Sequence, residues 1–219
     1  MTAPSEKSDR DRSVGGTVSG SGSVPAWIGS AVFVVLIILG LTTGTTPHVT
    51  SGRVLVIGDS LTEDSEAEVR DSLTAAGWDA VVDGRGGWSI GLWRKPLVDV
   101  AKFVRPDVAV VALGTNNCHT SCTQLAPVID DIVETLVDAG TSEILWVNVQ
   151  ESASYPASSA YVNDEIERAA VRWPQVRIID LDNTFGAHPE WHIGDNVHFT
   201  DVGSQQFGAL ITTALAARE

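Results

Sequence analysis

The sequence predicts an α/β domain in which helices cover both faces of a five-stranded parallel sheet, a three-layer α/β/α arrangement. From residue 53 onward, short apolar runs alternate with longer amphipathic stretches, which is the pattern of βαβ units. The chain has 219 residues, of which 43% are hydrophobic. This composition suffices for one good-sized core and is marginal for two domains.

Five apolar runs are predicted to be strands. They are RVLVIG (53–58), WDAVVD (78–83), DVAVVALG (107–114), SEILWVNV (142–149) and VRIIDL (176–181). Helical stretches lie between them, and several end in glycine, as helix C-termini tend to. They lie near 64–76, 124–139, 158–172 and 202–217. Such sheets bind ligands outside the carboxyl ends of their strands, so the residues directly after each strand are the informative ones.

Three segments precede the domain, which we place at residues 53–219. Residues 1–23 are Ser, Gly, Thr and charged residues with almost nothing to bury, so we expect a disordered tail. Residues 24–41 form an uncharged apolar run of about the length needed to cross a bilayer. Residues 42–52 form a Thr/Gly linker that leads to the domain.

The charges around residues 24–41 predict the orientation of this segment. Three basic residues precede it and none follows before Arg53, so the positive-inside rule leaves the N-terminus cytoplasmic and the domain outside. One alternative is a cleaved signal peptide, although the leading segment is long for one and no A-x-A-like site follows. Another is a buried core helix, although the run lacks polar positions at helical spacing. The sequence favours a retained single-pass anchor.

The chain is acidic, with 28 acidic against 14 basic side chains and a formal net charge of -14. Such a field repels polyanions, so nucleic-acid binding is not expected. One stretch of this acidic chain is rich in basic residues, and it is either a solvated face or a contact for an anionic substrate. Its members are Arg85, Arg94, Lys95, Lys102 and Arg105.

The two cysteines, Cys118 and Cys122, flank His119 in the stretch NNCHTSC. In an oxidising compartment they form either a local disulfide or two free thiols, and the sequence leaves both states open. Two cysteines and one histidine within five positions do not make a complete zinc site. We therefore expect no metal here.

Polar residues after the first strand and before the last helix form a candidate active site. Ser60 follows the first strand in GDS, and Asp195 and His198 lie in GDNVHFT. A serine at a strand end faces the ligand crevice, and a histidine oriented by an aspartate can activate it from another loop. Ser60 would be the nucleophile, His198 the general base and later the acid, and Asp195 the group that orients the imidazole.

An acyl intermediate also needs hydrogen-bond donors aimed at its oxyanion. The second strand is followed by GRGGWS and the third by GTNN. The backbone N–H groups of Ser60 and Gly87 and the side-chain amide of Asn116 come from three neighbouring strand ends. We expect them to form the oxyanion hole.

Four blocks resemble the SGNH/GDSL hydrolase family in order and spacing, over essentially all of residues 53–217. They are GDSL at 58–61, a glycine near 87, GTNN at 114–117 and DNVH at 195–198. The stretches VVDGRGGWS and HPEWHIGDNVHFT are most similar to the extracytoplasmic SGNH domains associated with cell-surface O-acetylation.

This resemblance implies a flavodoxin-like sheet and Ser-Asp-His catalysis on esters. The serine, glycine, asparagine and histidine of the family correspond to Ser60, Gly87, Asn116 and His198, and Asp195 completes the triad by the same correspondence. The chain differs from the O-acetylation proteins in having one candidate membrane segment, whereas they carry a multi-helix acyltransferase module. It also has Asn117 where many members have aspartate, and little chemical effect is expected from this change.

Each motif also has a purely structural interpretation. Asp59 and Ser60 after a strand can simply cap a helix. The stretch GWSIG (87–91) matches the G-x-S-x-G elbow of α/β-hydrolases and would make Ser89 the nucleophile. That elbow needs a strand running into it and a helix leaving it, whereas GRG intervenes before it and Pro96 interrupts the stretch after it. Ser60 is therefore the preferred nucleophile.

Aromatic residues flank the motif blocks. Trp88, Trp93 and Trp191 either stack on a sugar ring or pack in the core and its rim. His188 and His192 lie near the predicted triad loop, and we expect both at the surface without the spacing of a metal set.

The sequence thus predicts a serine esterase of the SGNH type that removes small acyl groups, such as acetyl, from an extracytoplasmic carbohydrate or related ester. No cofactor is needed for this chemistry. An O-acyltransferase that uses the same triad is one alternative, and a catalytically silent binding module is another. The expected partners are a small-molecule or glycan ester and the membrane, through the N-terminal helix, while the oligomeric state is open.

Overall fold

The computed structural model describes residues 51–117, 124–151 and 156–217. The predicted tail, the membrane segment at 24–41, residues 42–50 of the linker, and both Cys118 and Cys122 lie outside these ranges. Within them, every helix is too short or too polar to span a bilayer.

A five-stranded parallel sheet forms the middle layer, as predicted. Its strands are β1 (Gly52–Gly58), β2 (Trp78–Gly84), β3 (Val108–Ala112), β4 (Glu143–Val147) and β5 (Val176–Ile179). The spatial order is β2-β1-β3-β4-β5, so the order reverses between β1 and β3. Gly58 at the end of β1 is in register with Ala112 at the end of β3. The residues after these two strands therefore emerge side by side.

Helices cover both faces of the sheet. Those in the described ranges are α1 (Ser60–Asp64), α2 (Glu66–Ala75), α3 (Ile90–Val104), α4 (Leu125–Asp138), α5 (Pro156–Arg172), α6 (Leu181–Gly186) and α7 (Asp201–Ala216), with a 3-10 turn at Pro189–Trp191. Helices α3, α4 and α5 pack on one face and α1, α2, α6 and α7 on the other. Leu55 and Ile57 of β1 join the first core, while Val54 and Val56 join the second. A strand buried on both faces appears in the sequence as an unbroken apolar run.

Helix α3 corrects the expectation that Pro96 interrupts this region, because Pro96 lies inside the helix. An interior proline removes one backbone hydrogen bond and costs about 3 kcal/mol. The helix buries five apolar side chains at helical spacing, and each large one stabilises the fold by roughly 1.5–3 kcal/mol. They are Ile90, Trp93, Leu97, Ala101 and Val104. The apolar face outweighs the lost hydrogen bond.

Candidate active site

Ser60 is the first residue of α1 and follows the buried strand β1 after a single residue. Asp59 is the N-cap, and its Oδ1 accepts a hydrogen bond from the Leu61 N–H at 3.1 Å. The Ser60 N–H, as the first amide of the helix, has no partner within it. A Cβ on Gly58 would lie 1.8 Å from Thr62 Oγ1, so only glycine allows this close approach of strand and helix. The tight junction holds Ser60 at the carboxyl edge of the sheet.

The loop before α7 brings His198 to Ser60. His198 Nε2 lies 2.9 Å from Ser60 Oγ, although the two residues are 138 positions apart in the chain. On the other side of the ring, Nδ1 lies 2.7 Å from Asp195 Oδ2. An ionised carboxylate can only accept a hydrogen bond, so Nδ1 carries the ring proton and donates it toward Asp195. Nε2 is then the nitrogen that can accept a hydrogen bond from the serine hydroxyl.

Asp195 is held by its own loop. Its Oδ1 accepts from the N–H groups of Val197 at 2.9 Å and His198 at 3.0 Å. The hydrogen bond from the His198 side chain is the main cause that lowers the pKa of Asp195 to about 2. The carboxylate is therefore ionised at neutral pH, the state that can orient the imidazole and stabilise its protonated form.

The base of this loop rests on an aromatic cluster. The Thr200 N–H donates to the Trp191 carbonyl at 2.8 Å. His192 was expected at the surface, but this expectation is wrong: it is 8% exposed and packs edge-on against Phe185 and Phe199. Burial lowers the pKa of His192, which favours its neutral form. The buried His192 ring thus helps to support the loop that carries Asp195 and His198.

Gly87 and Asn116 lie in two loops that are joined by a hydrogen bond. Gly87 belongs to a turn closed by the Trp88 N–H on the Arg85 carbonyl at 3.1 Å, and its φ of 74° is one that favours glycine. Asn116 Nδ2 donates to the Trp88 carbonyl at 3.3 Å. An asparagine amide has two N–H groups, so a second donor remains for a ligand. The Arg85 N–H ties the same turn to the Gly58 carbonyl at 3.1 Å.

The tryptophans near the site are packed against other side chains. Trp93 is fully buried, and its indole N–H donates to the last carbonyl of β1 at 3.1 Å, so it belongs to the core and cannot stack on a sugar. Trp88 packs edge-on against Trp93, and the Arg85 guanidinium lies over both rings, 4.6 Å and 4.3 Å from their centroids. Trp191 stacks on His188 with 3.8 Å between ring centroids.

Ser89, the alternative nucleophile, is the N-cap residue of α3. A helix does leave this serine, contrary to the sequence-based argument against it. However, four residues separate Ser89 from Gly84 at the end of β2, and the described contact of His198 is with Ser60. The geometry of the histidine thus favours Ser60.

Asp59 is a buried carboxyl next to Ser60 in the chain, and the sequence suggested it only as a helix cap. Its residue exposure is 0%, and its Oδ2 has no hydrogen-bond partner within the described part of the chain. Burial raises the pKa of Asp59 from 3.8 to about 7, which outweighs the lowering by the Leu61 N–H and by other polar neighbours, including His198. A carboxyl in this environment titrates near neutral pH.

Asp59→Asn is expected to flatten the pH dependence of stability. Between pH 3.8 and about 7 the folded state binds more protons at Asp59 than the unfolded state does, so the free energy of unfolding falls as pH rises. A neutral asparagine keeps an acceptor for the Leu61 N–H and removes this loss. As pH rises, the free energy of unfolding of the variant should increase relative to that of the wild type, by up to about 4 kcal/mol. Urea unfolding at several pH values in this window measures the difference, and parallel curves for the two proteins would contradict it.

Known proteins resemble this chain in both sequence and fold. A sequence profile of the GDSL-like lipase/acylhydrolase family matches residues 56–206. YrhL of Bacillus subtilis (strain 168), named for peptidoglycan O-acetyltransferase activity, is 26% identical over 170 residues, which cover 77% of this chain and 24% of that protein. The chain thus spans about a quarter of the length of the curated relatives it matches.

Two solved structures show the same fold. The C-terminal catalytic domain of the Streptococcus pneumoniae peptidoglycan O-acetyltransferase OatA has a TM-score of 0.58 and 20% identity, covering 77% of this chain and 94% of that one. The acetylxylan esterase Axe2 from Geobacillus stearothermophilus has a TM-score of 0.66 and 14% identity, covering 77% and 96%. Since the family profile matches well over half of the sequence, the chain belongs to the GDSL-like lipase/acylhydrolase family.

Proposed function

We propose that this chain is a serine esterase that removes small acyl groups, such as acetyl, from an extracytoplasmic carbohydrate or related ester. The observation that supports this most is the hydrogen-bonded series from Ser60 Oγ through the His198 ring to Asp195, with distances of 2.9 Å and 2.7 Å. A hydroxyl, an imidazole and a carboxylate in this order are the groups that nucleophilic acyl transfer requires.

In the proposed reaction, Ser60 Oγ attacks the ester carbonyl carbon while His198 Nε2 takes the hydroxyl proton. Asp195 stabilises the imidazolium that forms. The oxyanion accepts hydrogen bonds from the N–H groups of Ser60 and Gly87 and from Asn116 Nδ2. His198 then protonates the leaving alcohol, and acyl-Ser60 remains. Water attacks this acyl-enzyme with His198 again as base, which releases the acid and restores the serine.

A carbohydrate ester is proposed because two proteins with this fold are an acetylxylan esterase and the catalytic domain of a peptidoglycan O-acetyltransferase. The placement outside the cytoplasm rests on the apolar run at residues 24–41 and on the basic residues that precede it. We propose that this run is a single-pass anchor for the esterase domain.

The second candidate function is O-acyl transfer at the same site. It is favoured by the names of the relatives YrhL and OatA, both of which describe O-acetyltransferases. The first half of the reaction is unchanged, since both functions form acyl-Ser60. They differ only in whether water or a sugar hydroxyl attacks the acyl-enzyme.

A substrate panel is expected to separate these functions. We expect the 219-residue chain in detergent to hydrolyse chromogenic esters, with acetate preferred over long acyl chains, and to release free acid when glycan oligosaccharides are present. Mass spectrometry of the oligosaccharides detects transfer, and an acetylated acceptor with little free acetate would favour the acyltransferase. A folded sample that neither turns over any ester nor reacts with a fluorophosphonate would support a silent binding module.

A further inference from the structure

The N-terminus of helix α3 is not capped by the side chain of its own N-cap residue. The first amides of a helix need acceptors from outside it, and the N-cap side chain usually supplies one. Ser89 occupies the N-cap position of α3, but its side chain makes no capping hydrogen bond. The Ile90 N–H instead donates to Asn117 Oδ1 at 3.1 Å. The acceptor thus comes from the loop after β3, 27 positions along the chain.

Asn116 and Asn117 bond the same short segment, residues 88–90. Asn116 Nδ2 donates to the Trp88 carbonyl at 3.3 Å, and Asn117 Oδ1 accepts from the Ile90 N–H at 3.1 Å. Asn117 is itself held in place, because its N–H donates to the Gly114 carbonyl at 2.9 Å. The segment before α3 is therefore attached at two points to the loop after β3.

This segment continues directly from Gly87, whose N–H is a proposed oxyanion donor. A Cβ on Gly87 would meet no atom within 4 Å, so no neighbouring group packs closely against the turn on that side. The position of the turn depends on its flanks. Arg85 attaches one flank to the Gly58 carbonyl, and residues 88–90 are the other flank.

We propose that Asn117 is a positioning residue. It caps α3 from the loop after β3 and thereby determines the position of the Gly87 N–H relative to the Asn116 side chain. Oxyanion donors act when they lie 2.7–3.1 Å from the developing charge. A displacement of about 1 Å in such a group costs about a hundredfold in rate. This role rests on the proposed esterase function, and in it Asn117 acts through Gly87 and not on the substrate.

Two substitutions at Asn117 distinguish the effect of its hydrogen-bond acceptor from the effect of its side-chain size. Asn117→Leu keeps a similar size and removes the acceptor, while Asn117→Asp keeps an acceptor and adds a charge that the helix N-terminus favours. We expect N117L to lower kcat on a chromogenic acetate ester by about ten- to a hundredfold with little change in KM, because oxyanion contacts act mainly in the transition state. N117D should restore most of the lost kcat. If N117L does not fold, Asn117→Ala removes the same acceptor.

Two control variants are matched to this change. Ser89→Ala alters the same segment at a hydroxyl that makes no cap bond. Asp107→Ala removes a carboxylate that accepts from the Arg53 N–H at 2.7 Å, at the opposite edge of the sheet. Both variants should keep kcat within about twofold of the wild type, because both leave the hydrogen bond from the Ile90 N–H to Asn117 in place. A drop in kcat for D107A equal to that for N117L would show that general destabilisation explains both.

Amide hydrogen exchange at Ile90 provides a readout that does not depend on activity. N117L should speed this exchange, and N117D should keep it slow. The proposal is overturned if N117L has the wild-type kcat, if N117D is as slow an enzyme as N117L, or if Ile90 exchange is the same in all three proteins. A wild type with no activity on any ester would count against the proposed function, and Ile90 exchange would then decide the cap by itself.

Discussion

Ser60→Ala is expected to lower kcat/KM for a chromogenic acetate ester by about 10³- to 10⁶-fold. The change removes the only atom of the proposed site that forms a covalent bond to the substrate, while the oxyanion donors stay in place and leave a small residual rate. Ser60 Oγ makes a hydrogen bond to His198 Nε2, and loss of one such bond costs about 1 kcal/mol, so the variant should still fold. Steady-state kinetics and labelling by a fluorophosphonate measure the effect.

Ser89→Ala is the control for this experiment, because Ser89 is the serine of the competing G-x-S-x-G motif. We expect S89A to keep both activity and fluorophosphonate labelling. Activity that survives Ser60→Ala and is lost with Ser89→Ala would assign the nucleophile to Ser89. Activity that survives both changes would place the reaction elsewhere in the chain.

His198→Ala is expected to have a comparable effect, lowering kcat/KM by about 10⁴- to 10⁶-fold. Without the imidazole, no group accepts the Ser60 proton during attack or donates a proton to the leaving alcohol. Added imidazole should restore part of the activity, because the His198 side chain is 34% exposed and its site is open to solvent. A variant whose loss is purely structural would gain nothing from imidazole.

Asp195→Asn tests how the imidazole is oriented. The amide keeps the size of the carboxylate but can present N–H to Nδ1, which would stabilise the wrong tautomer and lower kcat by about 10⁴-fold. The pKa of Asp195 is lowered to about 2, mainly by its hydrogen bond with His198, so the native carboxylate keeps its charge throughout ordinary assay conditions. Wild-type kcat in D195N would remove Asp195 from the proposed triad.

The sheet could be predicted because its strands are buried on both faces. Val54 to Ile57 of β1 are all fully buried, and such a run is visible in the sequence without any knowledge of its partners. The observed strand bounds differ from the predicted ones by at most two residues at each end. Helix α3 could not be predicted with the same ease, because Pro96 lies inside it and an interior proline usually ends or kinks a helix. The short helices α1 and α6 have five and six residues, too few for a helical period to show.

The sequence by itself determined the strands and the polar groups that come after them, because both depend on neighbouring residues along the chain. Only the tertiary structure decided the contact of Ser60 with His198 and the cap that Asn117 provides for α3, since each joins segments that the strand order brings together. It also decided that Trp93 is core and that Asp59 titrates near neutral pH, because burial depends on the atoms packed around a group in three dimensions.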